Sequence, residues 1–205
     1  MENKVKEKTL AFFKKGKPVT FKKGEQLLKP NEAPQGVFCL IRGSVRMYSA
    51  SKKGVETTLN IFKPISLFPM GWVINNTSNV YSYEATATVK VYIAQKSEVL
   101  TFLKKEPSVV YDLLSRIFKG LDGFFMRMES ILSGNAYQRV ITQLIIQMRR
   151  FGKADLSHSK IASLSGLSRE TVTRQMQKLQ RKGIALYKGK SLKIVNITKL
   201  EQELL

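Results

Sequence analysis

Arg169, Glu170 and Arg174 follow one another at intervals of one and four residues, so a helix would carry them on adjoining parts of one face. Their chemistry suits the base edges of a duplex. A guanidinium can grip the O6 and N7 of guanine with two parallel bonds, and a carboxylate can accept from the cytosine amino group. Thr173, Gln177 and Lys178 extend that face with further hydrogen-bonding side chains, while Val172, Met176 and Leu179 recur opposite them at four and three residues. Ser168 is a good N-cap for this helix. Before it, Ser157 can cap a shorter helix with Ile161, Ala162 and Leu164 on its apolar face, and Gly166 supplies the turn between the two. The stretch from Asp155 to Arg181 therefore reads as a helix-turn-helix whose second helix fits the major groove. A pair of amphipathic helices with solvated charges would share this spacing, so the surrounding chain has to decide between them.

The sequence Ser-Arg-Glu-Thr-Val-Thr-Arg at 168–174, after Ile-Ala-Ser-Leu-Ser-Gly at 161–166, resembles the DNA-reading segment of the cyclic-AMP receptor protein/fumarate–nitrate regulator (Crp/Fnr) family of bacterial transcription factors. The resemblance implies base contacts from Arg169, Glu170 and Arg174, with Ser168 and Thr171 near phosphates. Position adds Ser157, His158, Thr173 and Lys178 as candidate DNA contacts, together with Lys188 and Lys190 in a predicted wing.

The 205 residues carry 35 Lys and Arg against 15 Asp and Glu, a formal +20, which points to a polyanionic partner. Residues 134–205 hold 14 basic and 4 acidic side chains, giving +10; residues 1–105 hold 18 and 7, giving +11. The excess is thus not confined to the DNA-reading end. A single cysteine, Cys39, excludes an internal disulfide and a cysteine-rich metal centre, and it sits in an apolar run that suggests a buried thiol. The single histidine, His158, leaves no plausible Ser/His/Asp set, so neither enzyme activity nor a cofactor or metal is expected. No apolar run approaches ~18 residues and the N-terminus lacks a signal-peptide pattern, so the expectation is a soluble cytoplasmic protein without a membrane partner.

From Val19 to about Ala94 the chain shows short strands separated by turns: Val19–Phe21, Gln26–Leu28, Val37–Ile41, Ser44–Ser49, Glu56–Phe62 and Ala85–Ile93, with a loose stretch before the last. Gly24, Gly36, Gly43 and Gly54 punctuate them. This spacing predicts an antiparallel barrel or jelly roll, and the resemblance makes it a β-roll sensor like a cyclic-nucleotide-binding module. The family's phosphate clamp, a Gly-Glu pair with a downstream arginine, is missing: no arginine occurs between Arg46 and Arg116. In its place stand Phe68, Trp72, Asn75, Asn76, Tyr81 and Tyr83, which either line a pocket for another ligand or fill the core.

After a short helix near Ser97, Pro107 suits the start of a long one. Val110, Leu114, Ile117, Leu121, Phe124, Met128 and Ile131 follow spacings of four and three, a heptad seam that predicts a parallel dimer interface; packing on the chain's own roll would give a similar stripe. Ser133-Gly134-Asn135 reads as a hinge, Ala136–Arg150 as an amphipathic helix, and the segment after Gly183 as a hairpin turning at 188–190, the wing. The expected fold class is α+β: a β-roll (1–105), a dimerisation helix (106–133) and a winged helix-turn-helix (134–205). The expected function is sequence-specific transcription regulation by a homodimer on an inverted-repeat operator, without a response to cyclic AMP. Double-stranded DNA and a second copy are the expected partners, RNA polymerase a further candidate, and the effector is not identified. Two other readings share the composition: a ligand-binding module that uses the winged helix for protein contacts, and a non-specific nucleic-acid-coating protein.

Overall fold

The computed structural model describes residues 2–52, 54, 56–154, 156–188 and 191–204. The chain divides into two compact units, Met1–Ser115 and Arg116–Leu205.

The first unit opens with α1 (Glu2–Phe13) and continues through β1 (Pro18–Phe21), β2 (Gln26–Leu28), β3 (Val37–Arg42), β4 (Val45–Ala50), β5 (Glu56–Phe62), β6 (Leu67–Phe68), α2 (Met70–Asn75), β7 (Ser82–Ala85), β8 (Val89–Ala94) and α3 (Lys96–Lys105). Its strands form two antiparallel sheets, ordered β1-β8-β3-β6 and β2-β7-β4-β5. Between them lie Leu28, Phe38, Leu40, Val45, Phe68, Tyr83, Val89 and Val91. β3 is buried on both faces: Phe38 and Leu40 join that core, while Val37 and Cys39 pack with Phe13, Val99, Leu103 and Val109 in a second cluster. That double burial explains its unbroken apolar run. Phe12 of α1 stacks on Phe102 of α3, ring centroids 4.2 Å apart, and Lys8 reaches Glu106 at 2.6 Å.

The expected strand Ala85–Ile93 is in fact two. Ala85 ends β7 in one sheet, Val89 begins β8 in the other, and the chain crosses at Thr86, whose backbone N–H donates to the Ser44 carbonyl at 2.9 Å. Alternation alone carries no sign of such a corner.

The helix α4 (Pro107–Leu132) begins in the first unit and ends in the second. The second unit continues with α5 (Ala136–Phe151), α6 (His158–Ser165), α7 (Arg169–Arg181), the hairpin β9 (Ala185–Lys188) and β10 (Ser191–Ile194), and α8 (Ile197–Gln202). Val140, Ile141, Leu144, Ile145, Ile161, Val172, Met176, Leu179, Leu192 and Leu200 form its core.

The segment 133–135, expected as a hinge, is a pinned corner. Asn135 Oδ1 accepts from the backbone N–H groups of Tyr137 and Gln138, and the Gln138 side chain accepts from the N–H of Asn135 at 2.9 Å, a complete capping box. A Cβ on Gly134 would stand 2.5 Å from the Ser130 carbonyl oxygen, so no larger residue fits. Arg139 Nη2 donates across the corner to the Ile131 carbonyl at 3.0 Å.

Candidate nucleic-acid interface

The two helices of the reading segment start as their caps dictate. The Ser157 hydroxyl accepts from the Lys160 N–H and the Ser168 hydroxyl from the Thr171 N–H at 3.1 Å, each satisfying an otherwise orphaned donor. Gly166 ends α6 with φ 64°, a left-handed conformation cheap only for glycine, and so turns the chain into α7. Ile161, Val172 and Met176 are buried between the two helices and fix their crossing.

That packing leaves the other side of α7 outward. Arg169, Glu170, Arg174, Gln177 and Arg181 are all exposed. The backbone N–H of Glu170, with the Ser168 hydroxyl beside it, holds the Glu170 carboxyl below the usual carboxylate range, so it is an anion at the positive end of α7. Arg181 escaped notice in the sequence although the signal was there. It follows Arg174 and Gln177 at intervals of three and four, and the outward stripe runs one turn further than the resemblance suggests.

Other expected contact residues stand differently. Lys178 is turned away from the stripe: its ammonium lies 4.1 Å from the centre of the Tyr137 ring, a cation–π contact. The Tyr137 phenol donates to Glu203 at 2.8 Å, and Lys182 meets the same carboxylate at 2.5 Å. Lys178 therefore belongs to the seam between α5, α7 and the C-terminal segment. His158 and Thr173 are half-buried and bonded to each other, His158 Nδ1 to Thr173 Oγ1 at 2.9 Å. Ser168 and Thr171 spend hydroxyl groups on capping and on each other, 3.0 Å apart. Lys190 and the side chain of Lys188 lie outside the described residues, as does Asp155.

The six residues offered either as a ligand pocket or as core filling do not converge on one site. Phe68 (1% exposed) and Tyr83 (5%) stack 5.3 Å apart inside the roll, with Phe62 against both and Tyr81 at the margin of that core. Trp72 belongs to the cluster beneath the helices, where Lys96 Nζ donates to its carbonyl at 2.8 Å and also bonds the Asn76 side chain. Asn75 is exposed on α2. Of the expected dimer seam, Val110 packs into the roll's own second cluster. Leu114, Ile117, Leu121, Phe124, Met128 and Ile131 are exposed. Beside them runs a second apolar row at sevenfold spacing: Tyr111 (70% exposed), Phe118 (64%), Phe125 (50%) and Leu132 (79%).

Two family models match the chain: a cyclic nucleotide-binding domain over residues 18–106 and a Crp-like helix-turn-helix domain over residues 138–203. Similar proteins include the global nitrogen regulator of Synechococcus elongatus, 25% identical over 89% of this chain and 87% of that one. The global nitrogen regulator of a Nostoc species is 27% identical over 83% and 82%. A CRP-like cAMP-activated global transcriptional regulator of Mycobacterium tuberculosis is 23% identical over 93% and 89%. Among solved structures, FixK2 from Bradyrhizobium japonicum superposes with a TM-score of 0.75 at 22% identity, over 91% of this chain and 96% of its own. A CooA mutant from Carboxydothermus hydrogenoformans gives 0.79 at 17%, over 95% and 90%. A β-roll followed by a helix-turn-helix of this kind defines a class of DNA-binding transcription regulators. The chain belongs to the Crp/Fnr family, whose members are regulators rather than enzymes. Among the described residues no helix is long and apolar enough to cross a membrane.

The roll's matching domain raises the question of a cyclic nucleotide, and its residues do not fit one. Between Leu67 and Val89 the only charged residue is Glu84, which is bonded to Arg46 at 2.7 Å, so that segment offers no cation to a cyclic phosphate.

Proposed function

We propose that two copies of this chain, paired along α4, bind an inverted-repeat operator by inserting α7 of each copy into successive major grooves about 34 Å apart. Arg169, Glu170 and Arg174 read base edges, with Gln177 and Arg181 continuing the same stripe. Ser157 and the wing lysines Lys188 and Lys190 meet flanking phosphates, which supply salt-sensitive affinity without sequence preference. The observation that carries this reading is the exposed row of hydrogen-bonding side chains on a capped helix whose opposite face is sealed in the core. Pairing is supported by the exposed apolar rows of α4 and by the dimeric habit of the family. The protein acts in the cytoplasm, with RNA polymerase as a further partner, and the roll takes no cyclic nucleotide by a phosphate clamp.

Selection of bound sequences from a random duplex pool tests the reading. An enriched inverted repeat is expected, and Arg169→Ala should cost about 1–3 kcal/mol on it while relaxing preference at one base pair per half-site. Equal binding to enriched and scrambled duplexes would favour a non-specific coating protein instead.

A further inference from the structure

Thr173 and His158 stand next to the reading face without being part of it. Thr173 Oγ1 donates to the Arg169 carbonyl one helical turn back, at 2.9 Å. A hydroxyl has one proton, so towards His158 Nδ1, also 2.9 Å away, this oxygen can only accept. Nδ1 therefore carries a hydrogen and donates it, whether the imidazole is neutral or charged. The result is a continuous chain of hydrogen bonds from the first residue of α6 through a threonine hydroxyl to the backbone of the first residue of α7.

We propose that His158 and Thr173 are positioning residues for Arg169, fixing the rotation and height of the first turn of α7 against α6, and are not DNA contacts. The inference rests on the reading that α7 recognises bases. Its physical basis is the difference between apolar and directional contacts. Burial of Ile161, Val172 and Met176 holds the two helices together, but hydrophobic attraction is non-directional and tolerates small rotations. A bidentate grip on guanine does not, because a recognition group has to be held to within about 0.5 Å of its productive place. The hydrogen-bonded chain ends on the carbonyl of Arg169 itself, the residue whose side chain makes that grip. Burial and the neighbouring Arg169 charge also push the His158 imidazole below its ordinary range, which favours a neutral brace over a cationic phosphate ligand.

The test uses the full-length protein, an operator enriched from a random pool, and a panel in which each base pair is replaced in turn, titrated over a range of salt. Thr173→Val and His158→Phe remove the bonds but keep the approximate shapes; Thr173→Ser and His158→Asn retain an acceptor and a donor near the original places. We expect the first two to lose about tenfold in discrimination at the base pair that Arg169→Ala identifies, and little elsewhere. The salt slope should stay unchanged, and the serine and asparagine variants should recover most of the loss. In an Arg169→Ala background Thr173→Val should add nothing at that base pair. An equal loss on every sequence, with the salt slope reduced by about one, would identify phosphate contacts and overturn the proposal. A lowered melting temperature with discrimination intact would reduce the pair to packing and overturn it too. If the wild-type protein shows no preference for any sequence, the base-reading premise itself has failed, and that is seen before any variant is made.

Discussion

The guanidinium of Arg46 on β4 lies 2.7 Å from the carboxylate of Glu84 on β7, and Glu56 on β5 approaches the same guanidinium at 2.7 Å. Burial works against the charge of Arg46, and the hydrogen bonds to Glu84 and then Glu56 outweigh it, so its pKa is raised. The cluster thus holds two acids on one base. An arginine so engaged is not available to a ligand phosphate, and the one carboxylate in the segment between β6 and β8 is already committed.

Calorimetric titration of the protein with cyclic AMP or cyclic GMP should therefore give no binding heat at micromolar concentrations. Micromolar affinity for either nucleotide would mean that the roll binds the phosphate through groups outside this segment.

The exposed rows on α4 make a second expectation. Burying half-exposed leucine, isoleucine and phenylalanine side chains contributes roughly 1–2 kcal/mol each, so replacing two of them by buried carboxylates is costly. The double variant Leu121→Asp, Phe124→Asp should sediment as a monomer at concentrations where the wild type is a dimer. A dimer that survives both changes places the interface elsewhere.

Gln143 on α5 is 0% exposed, and among the described residues neither its amide nitrogen nor its amide oxygen has a hydrogen-bond partner. Leaving such a group unsatisfied costs about 1–3 kcal/mol. Gln143→Met, close in length and shape, should stabilise the second unit by about 1–2 kcal/mol, read as a higher urea midpoint at unchanged slope. A lower midpoint would show that the amide is used.

Tyr83, stacked on both Phe62 and Phe68, is pushed up to about 12 by burial, with Tyr81 adding to the effect. In the unfolded chain a tyrosine ionises near pH 10. Below pH 10 both states keep the proton and nothing changes; between pH 10 and 12 the unfolded state gives it up first, so stability falls as pH rises. The gap in urea midpoint between the wild type and Tyr83→Phe should shift against the wild type over that window. A constant gap would mean that the phenol ionises normally in the fold.

What could be read in the sequence depended on whether the cause was local. β2 and β5 are marked off by the turn residues around them, α4 by its period, and α6 and α7 by period and caps, because neighbours in sequence cause them. The stretch 66–79 has no period, and the α2 within it is closed by Lys96, which bonds Trp72 from 24 residues away and Asn76 from 20. The same reason removed Lys178 from the reading face. Helical spacing puts it at the margin of the outward stripe, and only Tyr137, at the start of a different helix, turns it aside. Arg169, Glu170 and Arg174 face outward as their spacing implies, since three buried residues on one helix are enough to orient its other side.

Residue 134 admits no side chain, and Asn135 locks the next helix from its opening turn, so the end of α4 and the start of α5 share a welded elbow. A rotation of the distal half of α4 therefore meets a hydrogen-bonded corner rather than a slack link before α5.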